Sequence, residues 1–153
     1  MASGTVAVTV AVRVRPLNSR ESKGGGQQGW AIDGSSLRAT AAAAAPARGA
    51  APPSEFTFDH LFDPRSTNAD VYGRVARPIV RSVLEGINGT VFAYGQTSSG
   101  KTHTMMGSQQ QPGVIPQAVK EVFNTVRKTV DREFTVRVSY LECVAAPPRP
   151  ARD

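Results

Sequence analysis

Hydrophobic and polar positions along the chain fall into two periods. Val6, Val8, Val10, Val12 and Val14 alternate with Ala7, Thr9, Ala11, Arg13 and Arg15. Period two with β-branched residues predicts a strand, and Pro16 ends it because proline cannot donate to a ladder. Residues 17–29 are polar, contain Gly24-Gly25-Gly26 and predict a loop. Trp30 to Ile32 and Leu37 to Ala39 predict a small hairpin about Asp33-Gly34. The apolar pattern resumes at Phe56, Phe58, Leu61 and Phe62. Thr67-x-x-Asp70 resembles a capping box with Asp in place of Glu, so a helix should carry Val71 and Val75. Pro78 either kinks that helix or opens a second one. Ile79, Val80, Val83 and Leu84 continue the apolar face until Gly86 and Asn88-Gly89 stop it.

Thr90 to Tyr94 is a short apolar run of the kind buried on both faces of a sheet. A glycine-bounded segment, Gly95 to Thr102, and a second helix come next. Gln109 to Gly113 is a polar loop, after which Ile115, Val119, Val122, Phe123 and Val126 return to helical spacing. Phe134, Val136, Val138 and Tyr140 alternate, predicting a last strand over about residues 133–142. Strand, helix, strand, loop, helix, strand is an α/β order with a largely parallel central sheet.

Composition adds limits. The 153 residues allow one domain of ordinary size. Gly (14) and Pro (11) are abundant, so part of the chain lies outside any packed core. That part is identifiable: Ala39 to Ala51 holds nine alanines in thirteen residues, and the stretch of about 39–54 reads as a low-complexity insertion. One cysteine, Cys143, excludes an internal disulfide framework and a cysteine-rich zinc site. No apolar run reaches membrane-spanning length, and Met1-Ala2 carries neither a secretory nor a myristoylation signal. A soluble intracellular protein without membrane contact is the expectation.

A net charge of +6 and a pI near 10.1 suggest a nucleic-acid binder. The location of the charge argues otherwise. Residues 1–54 hold six Lys/Arg against two Asp/Glu, whereas residues 55–142 hold ten against nine. The excess sits where folding signals are weakest and forms no dense basic face, so no nucleic-acid partner is expected.

Gly95-Gln96-Thr97-Ser98-Ser99-Gly100-Lys101-Thr102 matches G-x-x-x-x-G-K-[ST] without a gap. The predicted strand before it and helix after it are the context that motif needs. Gly95 and Gly100 let the backbone curl so that several N–H groups face one anion. The following helix adds its positive end. Lys101 can reach the β- and γ-phosphates, and the Thr102 hydroxyl can ligate Mg²⁺. A nucleoside-triphosphate site is the reading. Hydrolysis needs further groups that these residues do not supply. Asp131 reads as a turn residue, and Asp70-Val-Tyr-Gly73 lies upstream inside a predicted helix. No Asn-Lys-x-Asp string occurs, which argues against a GTPase. No lid or substrate motif points to a small-molecule kinase.

Val91-Phe-Ala-Tyr-Gly-Gln-Thr-Ser-Ser-Gly-Lys-Thr-His-Thr-Met105 resembles the phosphate loop of kinesin motor domains nearly letter for letter. Phe58-Asp-His-Leu-Phe-Asp63, Val71-Tyr72 and Leu84-Glu-Gly-Ile-Asn-Gly89 resemble the approach to it. Val12-Arg-Val-Arg-Pro-Leu-Asn18 resembles the family's first strand and its R-x-R-P element, and Val12 to Glu21 looks most like the centromere-associated class. The resemblance covers roughly residues 6–142. It implies a P-loop NTPase-type central sheet with flanking helices, as an incomplete kinesin motor fold. It implies ATP with Mg²⁺ as ligands, with Arg13, Arg15 and Pro16 beside the adenine and Gln96 to Thr102 around the phosphates. His103 either lies beside the base or is a helix-surface residue. Ser108 to Pro112 would be the loop that interrupts the helix above the nucleotide. Microtubules are the implied partner of a complete motor, and the cytoplasm and its cytoskeleton the implied location.

The resemblance stops at Glu142. Cys143 to Asp153 is a Pro/Ala/Arg tail, and the family's serine-rich first switch and D-x-x-G second switch are absent. Those switches couple the γ-phosphate to movement. Two functions remain: the ATP-binding portion of a microtubule motor, or a truncated, non-motile product that binds nucleotide at most or acts as an interaction fragment.

Overall fold

The computed structural model describes residues 8–40 and 55–143. The start of the Val6–Val14 alternation, most of the alanine-rich insertion and the tail after Cys143 lie outside the described residues. β1 (Ala11–Arg13) pairs in parallel with β5 (His60–Phe62), in the register Ala11 to His60 and Arg13 to Phe62. Val14 N–H donates to the Phe62 carbonyl at 2.8 Å, two residues before Pro16, which has no N–H to donate. β2 (Trp30–Asp33), β3 (Ser36–Ala39) and β4 (Glu55–Thr57) form a separate antiparallel sheet. Its first turn uses Gly34 at φ 58°, as the Asp-Gly pair predicts. Ile32, Leu37 and Phe56 stand in register across that sheet, and the Trp30 and Phe56 rings lie 6.0 Å apart.

Between these sheets the chain makes a helix where none is expected. α1 (Ser19–Lys23) starts on Asn18, whose side chain accepts from the Arg20 and Glu21 amides while Glu21 reaches back to the Asn18 amide. That is a full capping box, N-x-x-E, within residues 17–29. The Thr67/Asp70 box forms as its sequence indicates and opens α2 (Asn68–Val71). One π-helical turn (Tyr72–Ala76) follows, then α3 (Arg77–Leu84). Pro78 is the second residue of α3 and follows the π-helical turn with Ala76 and Arg77 already right-handed helical, so it lies inside a continuous helical run, at the change from π to α hydrogen bonding. Gly86 at φ 95° ends it. α4 (Lys101–Met105) and α5 (Val114–Lys128) complete the helices.

The core is small. Phe62, Val71, Tyr72, Ala76 and Val114 are buried, with Val75, Val80, Val91, Met105 and Ala118 against them. Each large apolar side chain buried there contributes roughly 1.5–3 kcal/mol. A polar cluster ties α5 to this layer. The Tyr72 hydroxyl donates to Glu121 Oε2 at 2.7 Å, and Arg77 and Arg81 Nε reach the two carboxylate oxygens at 3.1 and 3.3 Å. Burial pushes the Glu121 carboxyl up, but the three donors outweigh it and hold it below the usual range. Burial and the bond to Glu121 push the Tyr72 phenol up to about 12.

Other expectations change as well. The parallel arrangement is confined to β1 and β5, and the other sheet is antiparallel, so the α/β fold is mixed. Residues 90–94 and 133–142 carry no ladder, although their patterns read as strands. Phe92 is 78% exposed, Tyr94 95%, Val138 95% and Tyr140 86%. An extended segment becomes a strand only when a neighbour takes its N–H and C=O groups, and among the described residues none does. The α5 stripe is also divided. Val114 and Ala118 face the core, whereas Ile115, Val119 and Phe123 are exposed. Glu121 lies on the inner side of α5, where Tyr72 and two arginines meet it.

Tyr72→Phe should destabilise the chain by about 1 kcal/mol near pH 7, the worth of one hydrogen bond to a charged acceptor in a partly wet site. The pH dependence has a definite sign. A phenol whose pKa is raised on folding stabilises fully below its unfolded value near 10, and that contribution is lost as pH rises through about 12. Urea midpoints of both chains between pH 8 and 12 would test this. The wild-type midpoint should fall more steeply above pH 10, and parallel curves would remove the assignment.

Candidate functional site

The loop between residues 94 and 101 is shaped by two left-handed residues. Gly100 sits at φ 100° and Ser98 at φ 65°. Serine rarely adopts that conformation, so the turn holds it there against local preference. At Gly95 a Cβ would collide with the Ser99 hydroxyl, so only glycine fits. Gly100 is the N-cap of α4 and no side chain caps it. The first amides of that helix are therefore left for a group outside the helix.

Lys101 Nζ donates to the Gly95 and Gln96 carbonyls at 2.7 and 2.8 Å. The ammonium is folded back over its own loop. Two of its three N–H bonds go to carbonyl oxygens, which an anionic oxygen can replace with a stronger charge-assisted bond.

Facing this loop is a cleft of about 490 Å³. Ser98, Ser99, Gly100, Lys101 and His103 line it together with Arg13, Arg15 and Pro16. Residues 85 positions apart in sequence thus share one cavity. Gly95, Gln96, Thr97 and Thr102 belong to the same loop and helix start but do not line the cleft, and the Thr102 side is exposed. A larger groove of about 990 Å³ lies between α2–α3 and α5, and it contains none of the phosphate-loop residues. Size alone does not identify the site.

The two arginines of the cleft are held differently. Arg15 pairs with both Glu21 carboxylate oxygens at 2.7 and 2.6 Å. Bonds from Arg15 and from the Asn18 amide hold the Glu21 carboxyl down at about 2, so the pair persists through the physiological range. The α1 capping box thereby orients Arg15. Arg13 is committed elsewhere. Its Nη1 donates to Asn68 Oδ1 at 2.6 Å and Thr104 Oγ1 at 3.0 Å, and its Nη2 to the Ser66 carbonyl at 3.0 Å. Burial lowers the Arg13 guanidinium below its ordinary value, with the Asp70 carboxylate opposing. Arg13 therefore lines the cleft while its guanidinium braces α2 and α4.

The sequence pattern assigns no role to Asn68 or Thr104. Thr67-Asn68-x-Asp70 is legible as a cap, but nothing in that string says that Asn68 is buried. Its burial depends on β1 and α4, which are distant in sequence.

Residues 13–145 match the kinesin motor domain family model. The Arabidopsis thaliana kinesin-like protein KIN-7D, mitochondrial, is 48% identical over 88% of this chain and 12% of its own length. KIN-7L of Oryza sativa subsp. japonica is 46% identical over 88% of this chain and 22% of its own. Human centromere-associated protein E is 46% identical over 89% of this chain and 5% of its own. Among solved structures, KIF14[391-755] with ADP in complex with a microtubule superposes with a TM-score of 0.70. That alignment has 33% identity and covers 81% of this chain and 35% of the other. The chain therefore spans a small part of the relatives it matches. The phosphate-loop wording and the centromere-associated resemblance agree with these matches. With its partial α/β motor fold and its P-loop, the chain belongs to the kinesin motor-domain family.

Proposed function

We propose that this chain is the ATP-binding portion of a kinesin-type motor domain. One observation carries the proposal: Lys101 with its loop and Arg15-Pro16 face the same cleft. The donor set fits a triphosphate. Left-handed Ser98 and Gly100, the uncapped start of α4 and the Lys101 ammonium together present positive groups to one side. Lys101 would exchange its loop carbonyls for β- and γ-phosphate oxygens. Arg15, held by Glu21, and Pro16 would bound the base, with His103 lining the same cleft. Thr102 would supply one oxygen to Mg²⁺, an ion that commonly takes few protein ligands beside phosphates and waters. Bound Mg²⁺ would neutralise phosphate charge. No group of three His, Cys, Asp or Glu suited to a metal occurs among the described residues.

In the complete protein the family membership supports ATP-driven movement on microtubules, in the cytoplasm and its cytoskeleton. For residues 1–153 by themselves, a non-motile reading has the better support. The segments 90–94 and 133–142, largely exposed and without ladder partners among the described residues, favour a chain that binds nucleotide or a partner without converting hydrolysis into movement. Microtubule co-sedimentation and ATP turnover of the 153-residue chain separate these readings. Robust microtubule-stimulated turnover would refute the non-motile one.

Lys101→Ala should lower the affinity for Mg·ATP at least about tenfold, as expected for a lost charge-assisted contact. Titration calorimetry reads this directly, and unchanged affinity would remove Lys101 from the site. Glu21→Gln should weaken Mg·ATP by about threefold, because Arg15 loses its charged bidentate partner. It should leave Mg·tripolyphosphate, which has no base, unaffected. Equal losses for both ligands would place Arg15 away from the base.

A further inference from the structure

We propose that Asn68 is a positioning residue for the base side of the cleft: its side-chain amide locks the end of α4 to the loop 107–113 and to Arg13. The inference rests on the nucleotide-binding reading and extends it to a residue that touches no ligand.

Asn68 is 1% exposed and is the sole buried polar residue among the described ones. Every polar atom of its side chain is used. Oδ1 accepts from Arg13 Nη1 at 2.6 Å, and Nδ2 donates to the His103 and Gln111 carbonyls, both at 3.0 Å. Turning the amide over would set NH₂ against a guanidinium and oxygen against two carbonyls, so one orientation is enforced. The Asn68 carbonyl accepts from Gln117 Nε2 at 3.2 Å, and the same Nε2 donates to the Pro112 carbonyl at 2.8 Å. Four other segments, β1, α4, the loop 107–113 and the start of α5, thus meet on this residue of α2.

The bond to His103 answers a local need. α4 has five residues, and its last carbonyls have no helical donor. Asn68 supplies one donor from outside, and Arg13 holds the neighbouring Thr104 hydroxyl at 3.0 Å. The bond to Gln111 reaches the other side of the same junction. Loop 107–113 is closed on itself by Ser108 N–H to the Gln111 carbonyl and Gly113 N–H to the Met106 carbonyl, both at 3.0 Å. Gly107 at φ 70° and Gly113 allow this, since a Cβ at either would strike backbone across the loop. No residue of 107–113 lines the cleft. Asn68 is the side chain that bonds both to this loop and to the helix carrying His103. The orientation of His103 toward the cleft therefore depends on the Asn68 donors.

Asn68→Asp tests the donors separately from the Arg13 contact. The aspartate keeps the acceptor for Arg13 and nearly the same volume, but replaces the NH₂ with an oxygen facing two carbonyls. The 153-residue chain and its variant are titrated with Mg·ATP and with Mg·tripolyphosphate, and amide hydrogen exchange is followed. Mg·ATP affinity should fall about tenfold, the scale of one lost buried hydrogen bond. Mg·tripolyphosphate affinity should stay within about twofold, because the phosphate loop precedes the clamp. Exchange should quicken at residues 107–113 and not in β2–β4. Equal losses for both ligands, or no loss for either, would overturn the inference while leaving nucleotide binding in place. If the wild-type chain binds neither ligand, the nucleotide reading falls and this inference with it. Should the aspartate variant be insoluble, Gln117→Leu removes the second amide of the cluster and should show the same split at about threefold; absence of the split there also overturns the inference.

Discussion

The amide of Asn68 has to find three hydrogen bonds in a place that water does not reach. That requirement organises this half of the molecule. Leaving a buried donor or acceptor without a partner costs about 1–3 kcal/mol, comparable to losing a large side chain from so small a core. β1 has to deliver Arg13, α4 has to end with the His103 carbonyl directed inward, and the following loop has to close with Gln111 on the same side. Each segment is short and weak alone: three residues of strand, five of helix, seven of loop. Their joint satisfaction at one point makes them a unit.

Glu121 plays the matching part on the far side of the same helical layer. It draws Tyr72, Arg77 and Arg81 to α5, across the π-helical turn. That turn places Tyr72 and Ala76 in the core and leaves Arg77 beside both the Tyr72 ring and the carboxylate. Apolar burial is modest here. Polar contacts with full complements of partners specify which helix faces which.

Much of the local structure is legible in order. Asp33-Gly34 is a turn because glycine accepts a positive φ. Thr67 and Asp70 start a helix because their side chains satisfy amides three residues apart, and Gly95 to Thr102 is a phosphate loop because its glycines and lysine leave little else. Those are short-range reasons. Asn18 and Glu21 follow the same logic in an N-x-x-E box just ahead of Gly24-Gly25-Gly26. The strands were harder. Thr90 to Tyr94 and Phe134 to Tyr140 have strand patterns, but pairing is a property of two segments, and no partner for either is found among the described residues. Ile115, Val119 and Phe123 have helical spacing and lie on an uncovered face, since periodicity does not say which apolar side meets a core.

The sequence by itself determined the family, the phosphate loop, the helix starts and the glycine turns, because each depends on residues within a few positions of one another. Tertiary structure alone decided how the site residues are used. It brought Arg15 and Pro16 into one cleft with Lys101, and committed the Arg13 guanidinium to Asn68, Thr104 and Ser66. It also made an unremarked asparagine the junction of four segments. Those outcomes depend on which donors and acceptors remain unpaired once distant elements come together, and that accounting exists only in three dimensions.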